Sequence, residues 1–459
     1  MTCFLLGHDK KKQVRLQHLK KFQPKNWGFT TVADINRATI KQKYDFQAWF
    51  KADDTKRLFS NFFSLALLQG VNYILPLITL PYLFRILGAE YFGLLAFANA
   101  TIAYLLIITE YGFSLTATRE ISVNRNDHQK IIEIFSAVMM IKLFLMVLCF
   151  IFLCLLILCF EKFRVHSIIF IYTFGTVIGQ VSFPVWFFQG MERMKYITYM
   201  NILARSLFTV AIFIFVQKKE NYFMVPILSS SGFFVAGLIS LLIIKIKFKV
   251  GFQWQSRETI ISYVKDSWNV FIVDFMPNLY NNFSTFFLGF FSSMEMVGYF
   301  SLATRIINIF NSFIYVIRNV TYPYLNNNYS QFSLISKVTM IVGFLFSVGI
   351  ITLSNNVFVF IFGHIMQNSL LYIYILGLSP FFLSISVVFG SNTLLIFKKD
   401  HEMKNIAVKF SLFGFILALF LIPFYGATGA AITVLLSRGL MAFLTYHTAK
   451  KYDMISGYD

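Results

Sequence analysis

The chain is written as long apolar runs parted by short polar ones. Twelve runs reach the roughly 20 mainly apolar residues that a membrane-crossing helix needs. Their limits lie near 58–81, 92–115, 133–160, 166–188, 196–216, 222–244, 267–290, 297–320, 334–362, 369–397, 405–423 and 427–448. They far exceed the about 9–11 residues of a membrane β-strand and lack its alternation. The pattern predicts an all-α integral membrane protein of about 12 transmembrane helices. The longest polar interruption, around 245–266, is basic and falls between the sixth and seventh runs.

That position suggests two six-helix halves, and short internal repeats support it. Glu90-Tyr-Phe-Gly93-Leu-Leu-Ala-Phe-Ala98 parallels Glu295-Met-Val-Gly298-Tyr-Phe-Ser-Leu-Ala303, each entering the second run of its half. Met194-Lys195-Tyr-Ile197 parallels Met403-Lys404-Asn-Ile406, each entering the fifth. An even number of crossings per half gives both halves the same topology, related by a pseudo-two-fold axis along the membrane normal. The expected organisation is a basic amino-terminal arm (1–57), an N-lobe (58–248), a linker (249–266), a C-lobe (267–448) and a tail (449–459).

Composition narrows the class. Of 459 residues 57% are hydrophobic and 13% charged, about half the 25% charge of an ordinary soluble domain. A soluble, secreted or nucleic-acid-binding protein is excluded. The net charge of +19 is therefore read by position, because Lys and Arg orient membrane proteins. With the amino terminus inside, thirty of the forty Lys and Arg fall in inside segments and five in outside loops, so both termini are expected in the cytoplasm. The remaining five lie within the runs. The arm, with Lys10-Lys-Lys12, Lys20-Lys21, Trp27 and Trp49, suits an anionic leaflet surface; its diffuse patterning equally suits a dispensable tail or an over-extended reading frame. Cys3-Phe4-Leu5-Leu6 is too short for a cleavable signal peptide.

The five intramembrane cations are Lys142, Arg205, Arg305, Lys409 and Arg438. Each costs roughly 2.5–3.5 kcal/mol at a helix centre on insertion scales. Arg205, Arg305 and Arg438 sit mid-run and should face protein or a wet cavity, whereas Lys409 is placed to snorkel. The one deep acid is Asp274, and Glu110 lies nearer an interface. The excess of deep positive charge suits an anionic ligand.

Polar residues also share helix faces. Ser301, Arg305, Asn308, Ser312 and Tyr315 follow a 4-3-4-3 spacing. Asp274, Asn278, Asn281 and Thr285 keep the same rhythm on the seventh run; Gln69, Asn72, Pro76 and Thr79 line the first, and Thr198, Asn201, Arg205 and Thr209 the fifth. Isolated polar residues in spans are packing glue, but a full stripe containing a charge suggests a cavity wall. Gly175-Thr-Val-Ile-Gly179 predicts a close helix contact. Prolines 76, 81, 184, 277 and 423 predict kinks.

Cys149, Cys154 and Cys159, five residues apart, spread around a helix and form no metal face, and the seven histidines lie in the tail, loops or run ends. There is no P-loop, no HExxH and no paired-carboxylate motif. No enzyme activity, metal or cofactor is expected.

The first two runs read Leu68-Gln69-Gly70-Val-Asn72-Tyr-Ile-Leu-Pro76-Leu-Ile-Thr-Leu-Pro81-Tyr-Leu-Phe-Arg85-Ile-Leu-Gly88-Ala-Glu90-Tyr-Phe-Gly93. Later come Glu110-Tyr-Gly112-Phe-Ser114-Leu-Thr-Ala-Thr118-Arg119-Glu120-Ile and Phe188-Gln189-Gly190-Met-Glu192-Arg-Met194-Lys195-Tyr. Over about 58–448 this resembles the Wzx-type polysaccharide flippases, the O-antigen and capsule repeat-unit translocases of the MATE-like MOP exporter superfamily. The resemblance implies two pseudo-symmetric six-helix lobes around a central cleft bordered by the first two helices of each. It implies transfer of an undecaprenyl-diphosphate-linked oligosaccharide from the inner to the outer leaflet of the bacterial cytoplasmic membrane by alternating access, with H+ or Na+ gradients as candidate energy sources. Polysaccharide polymerase or chain-length machinery are candidate partners.

A diphosphate calls for cations, which Arg supplies bidentately. The expected substrate contacts in the cleft are Arg305, Arg205, Arg438 and Lys142, with Gln69, Asn72, Asn278 and Asn308 beside them. Asp274 is the candidate coupling group or ion-pair partner of Arg305. Arg85 matches the family's outer-mouth arginine, or anchors its loop beside Glu90. A MATE-type multidrug antiporter is the nearest alternative, though such pumps favour acidic cavities. An integral-membrane polysaccharide polymerase is the alternative of another class, and the short outside loops count against it.

Overall fold

The computed structural model describes residues 53–327 and 329–452, and the side chains of 53–74, 76–77, 273–274 and 276–281 are outside the described set. The arm therefore falls almost wholly outside it. Residues 63–459 form one compact unit. The regular elements of the described residues are all helices, with no strand among them, which confirms the fold class.

The elements are α1 (Asp53–Glu110), α2 (Phe113–Val123), α3 (His128–Cys159), α4 (Glu161–Val165), α5 (Ser167–Val181), α6 (Val185–Gly190), α7 (Met194–Phe215) and α8 (Met224–Lys247) in the first half. The second half holds α9 (Arg257–Asn281), α10 (Phe283–Phe291), α11 (Met294–Asn327), α12 (Phe332–Leu353), α13 (Val359–Phe362), α14 (Leu370–Leu376), α15 (Ser379–Ser386) and α16 (Asp400–Lys451). Nine segments among the described residues are long and apolar enough to cross a membrane. That number is compatible with twelve crossings. α1 is broken at Gly88 (φ 70°, ψ 175°) and α16 at Gly426 (φ 54°, ψ −131°), conformations that only glycine adopts without strain. The α9–α10 stretch, which carries Lys265, Asp266 and Asp274, lies outside the nine.

Several boundaries moved. The second run, expected to stop at 115, continues to Val123 after a sharp break at Tyr111 (φ 45°) and Gly112 (φ 76°). A Cβ on Gly112 would lie 2.8 Å from the Phe271 backbone nitrogen, so the break brings α2 against α9. π-helical turns at Ser354–Phe358 and Val387–Leu395 interrupt the ninth and tenth runs. The GxxxG contact is present: Cβ atoms on Gly175 and Gly179 would come within 2.8 Å of Ser230 and 2.7 Å of Phe233 on α8.

The internal repeat turns out to be a contact. A Cβ on Gly93 would lie 1.8 Å from the Met294 carbonyl oxygen, and one on Gly298 would lie 1.9 Å from that of Ala89. The two equivalent helix starts thus meet backbone to backbone. Around them one hydrophobic core runs through both halves, including Phe84, Leu87 and Phe97 from the first and Leu288, Val297 and Phe300 from the second. Phe97 meets Phe163, Phe170 and Phe290 edge-on. At the other end the cores are separate, one around Phe113, Phe135 and Phe187 and one around Phe332, Phe389 and Phe410.

Candidate functional site

Beside the Gly93–Gly298 seam lies a cavity of about 590 Å3 walled by both halves. Helix α11 supplies Arg305, Asn308 and Ser312, three members of the stripe on the eighth run, at the i, i+3, i+7 spacing that keeps them on one face. The first half supplies Thr79, Asn99, Thr173, Thr176 and Ser229, with Phe92 and Leu95. Ser301, the first member of the stripe, is buried with an unpartnered hydroxyl; Tyr315, the last, is exposed and lies beside Arg318.

Arg305 faces the hollow of the cavity while lying deep among the surrounding helices. Its guanidinium carbon is 5.0 Å from the centre of the Phe92 ring, a cation–π approach that orients the group without neutralising it. No ion pair to it occurs among the described residues. The cavity wall also reaches Arg438. Its Nη2 donates to Asn308 Oδ1 (3.3 Å) and its Nη1 to Ser379 Oγ. Asn308, three residues from Arg305 on α11, thus holds a second cation, Arg438, against the cavity wall.

Arg205 and Lys142 stand elsewhere. Arg205 lines a separate cavity of about 340 Å3 within the first half, with Glu110, Ser114, Gln180, Trp186, Gln189 and Asn201. Its Nε and the Trp186 Nε1 are buried without a partner among the described residues. Lys142 is fully buried and donates from Nζ to Glu110 Oε1 at 2.6 Å. The stripe on the fifth run is split: Asn201 and Arg205 line this cavity, and Thr198 and Thr209 are buried in packing. Periodicity assigns residues to a helix face but not to the neighbour that face meets, which is why these cations were grouped with Arg305.

Gln69, Asn72, Asp274 and Asn278 have side chains outside the described residues. Arg85 does not pair with Glu90. Its Nη2 donates to the Phe360 carbonyl (2.7 Å), while Glu90 faces Lys219 Nζ at 3.8 Å. Asn99, Thr173, Thr176 and Ser229 carry no charge to set them apart from packing residues; the signal that could have found the two threonines is the i, i+3, i+7 spacing of Thr173, Thr176 and Gln180. No group of three His, Cys, Asp or Glu able to hold a metal occurs among the described residues.

A helical fold of two related halves, with a polar cavity between them holding an unneutralised arginine, defines a multi-pass membrane transporter. The sequence comparisons give the family. The model of the polysaccharide biosynthesis protein family matches residues 58–328, and the chain belongs to that family. A protein of Escherichia coli strain K12, assigned as a candidate O-antigen transporter, is 33% identical over 393 residues, 84% of this chain and 94% of that protein. A like-named protein of Shigella dysenteriae is 25% identical over 398 residues, covering 85% and 99%. Among solved structures, the lipid II flippase MurJ in an inward closed conformation has a TM-score of 0.66 at 13% identity, over 88% of this chain and 89% of that one. An inward-facing MATE multidrug transporter of the MOP superfamily has a TM-score of 0.61 at 14% identity, over 82% and 94%. At these identities the two structures share the fold.

Proposed function

We propose that the chain is a flippase that carries an undecaprenyl-diphosphate-linked oligosaccharide repeat unit across the bacterial cytoplasmic membrane, for O-antigen or another surface polysaccharide. The observation that carries this reading is Arg305, a cation that faces the shared cavity, is oriented by Phe92, and has no acid partner among the described residues. Arg438, held by Asn308 and Ser379, adds a second positive charge beside the cavity wall. Such an arrangement binds an anionic diphosphate by charge and forked hydrogen bonds, and it does so without covalent chemistry. A multidrug pump for cations would need the opposite sign. The hydroxyl and amide groups of Thr79, Asn99, Thr176 and Ser229 match sugar hydroxyls.

In this reading the Lys- and Arg-rich segments face the cytoplasm and the Gly93–Gly298 seam lies at the periplasmic side. Transport alternates access to the cavity, and an H+ or Na+ gradient is its energy source. The polymerase that consumes the flipped unit is the expected partner.

The test is complementation of a strain lacking its own repeat-unit flippase, scored as surface polysaccharide. Wild type restores the polymer. Arg305→Ala, at normal membrane abundance, is expected to lower it at least about tenfold, the loss of one well-made charge-assisted contact. Full activity of Arg305→Ala would overturn the assignment of this cavity.

A further inference from the structure

Residues 248–256 join the two halves as a non-helical segment that crosses α3, where the Gln253 backbone nitrogen donates to Ser136 Oγ at 3.0 Å. The segment lays Phe252 and Trp254 beside the stretch Met140–Leu145 of α3. Together with the first two turns of α9, and with Tyr111 also in the wall, they bound a groove of about 760 Å3. Its walls are aliphatic and aromatic except at one end, where Arg257 stands. Arg257 is exposed and has no ion pair among the described residues. It is also the first residue of the 25-residue α9, so the positive end of that helix opens at the same place. Ser256 caps the helix by accepting from the Thr259 nitrogen (3.2 Å).

From Arg257 through Ile261 to Val264 the groove follows α9 for about 10 Å. It is cationic at one end and apolar along the rest. A soluble anion gains nothing from the apolar wall, and a neutral lipid gains nothing from Arg257. The complementary occupant is an amphiphile with an anionic head on a hydrocarbon chain. Trp254, 84% exposed and close in sequence to Arg257, places this end at headgroup depth.

Two observations connect the groove to the polar interior of the first half and to the motion of the halves. Tyr111 lines the groove, while the preceding residue, Glu110, lines the polar cavity of the first half that contains Arg205. Hydrocarbon and polar compartments thus meet one residue apart, at the break that follows α1. The groove also takes its walls from both halves, so its shape changes whenever the halves move against each other. We propose that this groove holds the polyisoprenyl chain of the lipid-linked substrate at entry, with Arg257 against the diphosphate before that group passes to Arg305. The inference rests on the flippase reading above.

The experiment uses the full chain in nanodiscs of phosphatidylethanolamine and phosphatidylglycerol. A heptaprenyl diphosphate carrying a diazirine on its chain is photolysed, and the labelled peptides are mapped. Label is expected within 140–145 and 252–264, displaced by undecaprenyl diphosphate but not by added phosphatidylglycerol. Arg257→Gln should lower it roughly tenfold. Label elsewhere, equal displacement by phosphatidylglycerol, or indifference to Arg257→Gln would overturn the proposal. In cells, Leu143→Trp with Ile261→Trp should fill the groove and lower surface polysaccharide at normal abundance; wild-type levels would count against it. Failure of the wild-type chain to complement would strike the flippase reading, while the labelling pattern still reports what the groove binds.

Discussion

At the end of the bundle where Gly93 meets Gly298, the halves share a single hydrophobic core, knitted by Phe97, Phe163, Phe170 and Phe290. At the opposite end each half keeps its own core, and among the described residues the second half packs on the first half's core through Ile260, Tyr263 and Val264 of α9. The contacts there are few and specific: Thr116 Oγ1 and Ser267 Oγ at 2.7 Å, and Tyr111 stacked on Phe271. One end is held by close backbone approach and wide apolar burial, the other by a single helix. In this conformation the halves are tied more tightly at the first end than at the second. The difference teaches where the stability of each half resides, and it gives each half-core a test of its own.

The largest effect is expected at the separate end. Glu110→Gln leaves the fully buried Lys142 ammonium without its acid, and breaking a buried pair in this way costs about 3–5 kcal/mol. The melting temperature of the purified protein should fall sharply, and the double change with Lys142→Met should recover most of the loss. If the single and double variants melt alike, the first half does not depend on that pair. At the joined end, Gly93→Ala places a methyl against the Met294 carbonyl and should cost about 1–3 kcal/mol. It should also raise the reactivity of cysteines introduced along α11 toward soluble maleimides; unchanged reactivity and melting would mean the seam is looser than the geometry requires.

A smaller change tests the same seam from its edge. Lys162 Nζ donates to the carbonyl oxygens of Gly289 (3.0 Å) and Ser292 (2.9 Å), tying the first half to the end of α10, and its burial lowers the ammonium pKa. Lys162→Met should cost about 1–2 kcal/mol and shift the melt by less than Gly93→Ala does. Arg85 makes a similar tie to the Phe360 carbonyl.

The helices were legible because each apolar run had to be long enough to cross a membrane, and the stripe containing Arg305 and Asn308 was legible because helical spacing alone collects it on one face. The Glu90–Gly93 and Glu295–Gly298 repeat announced two related halves. That the two glycines touch could not be read from it, since repetition says nothing of where copies meet. The partition of the cations was hidden for a related reason. Arg205 and Arg305 both sit mid-run but face different neighbours, and Lys142 found an acid, Glu110, that is 32 positions away in sequence. The break at Tyr111 and Gly112 left no proline behind to mark it.

Trp186 gives the first half an optical handle. Its indole is 2% exposed, lines the same cavity as Arg205 and leaves Nε1 unpartnered, whereas Trp254 and Trp268 stand on the outer surface. Indole emission depends on the dipoles free to relax around the ring. With Trp27 and Trp49 replaced, this one fluorophore registers wetting of its cavity as a red shift, separable from Trp254 and Trp268 by quenchers that cannot reach it.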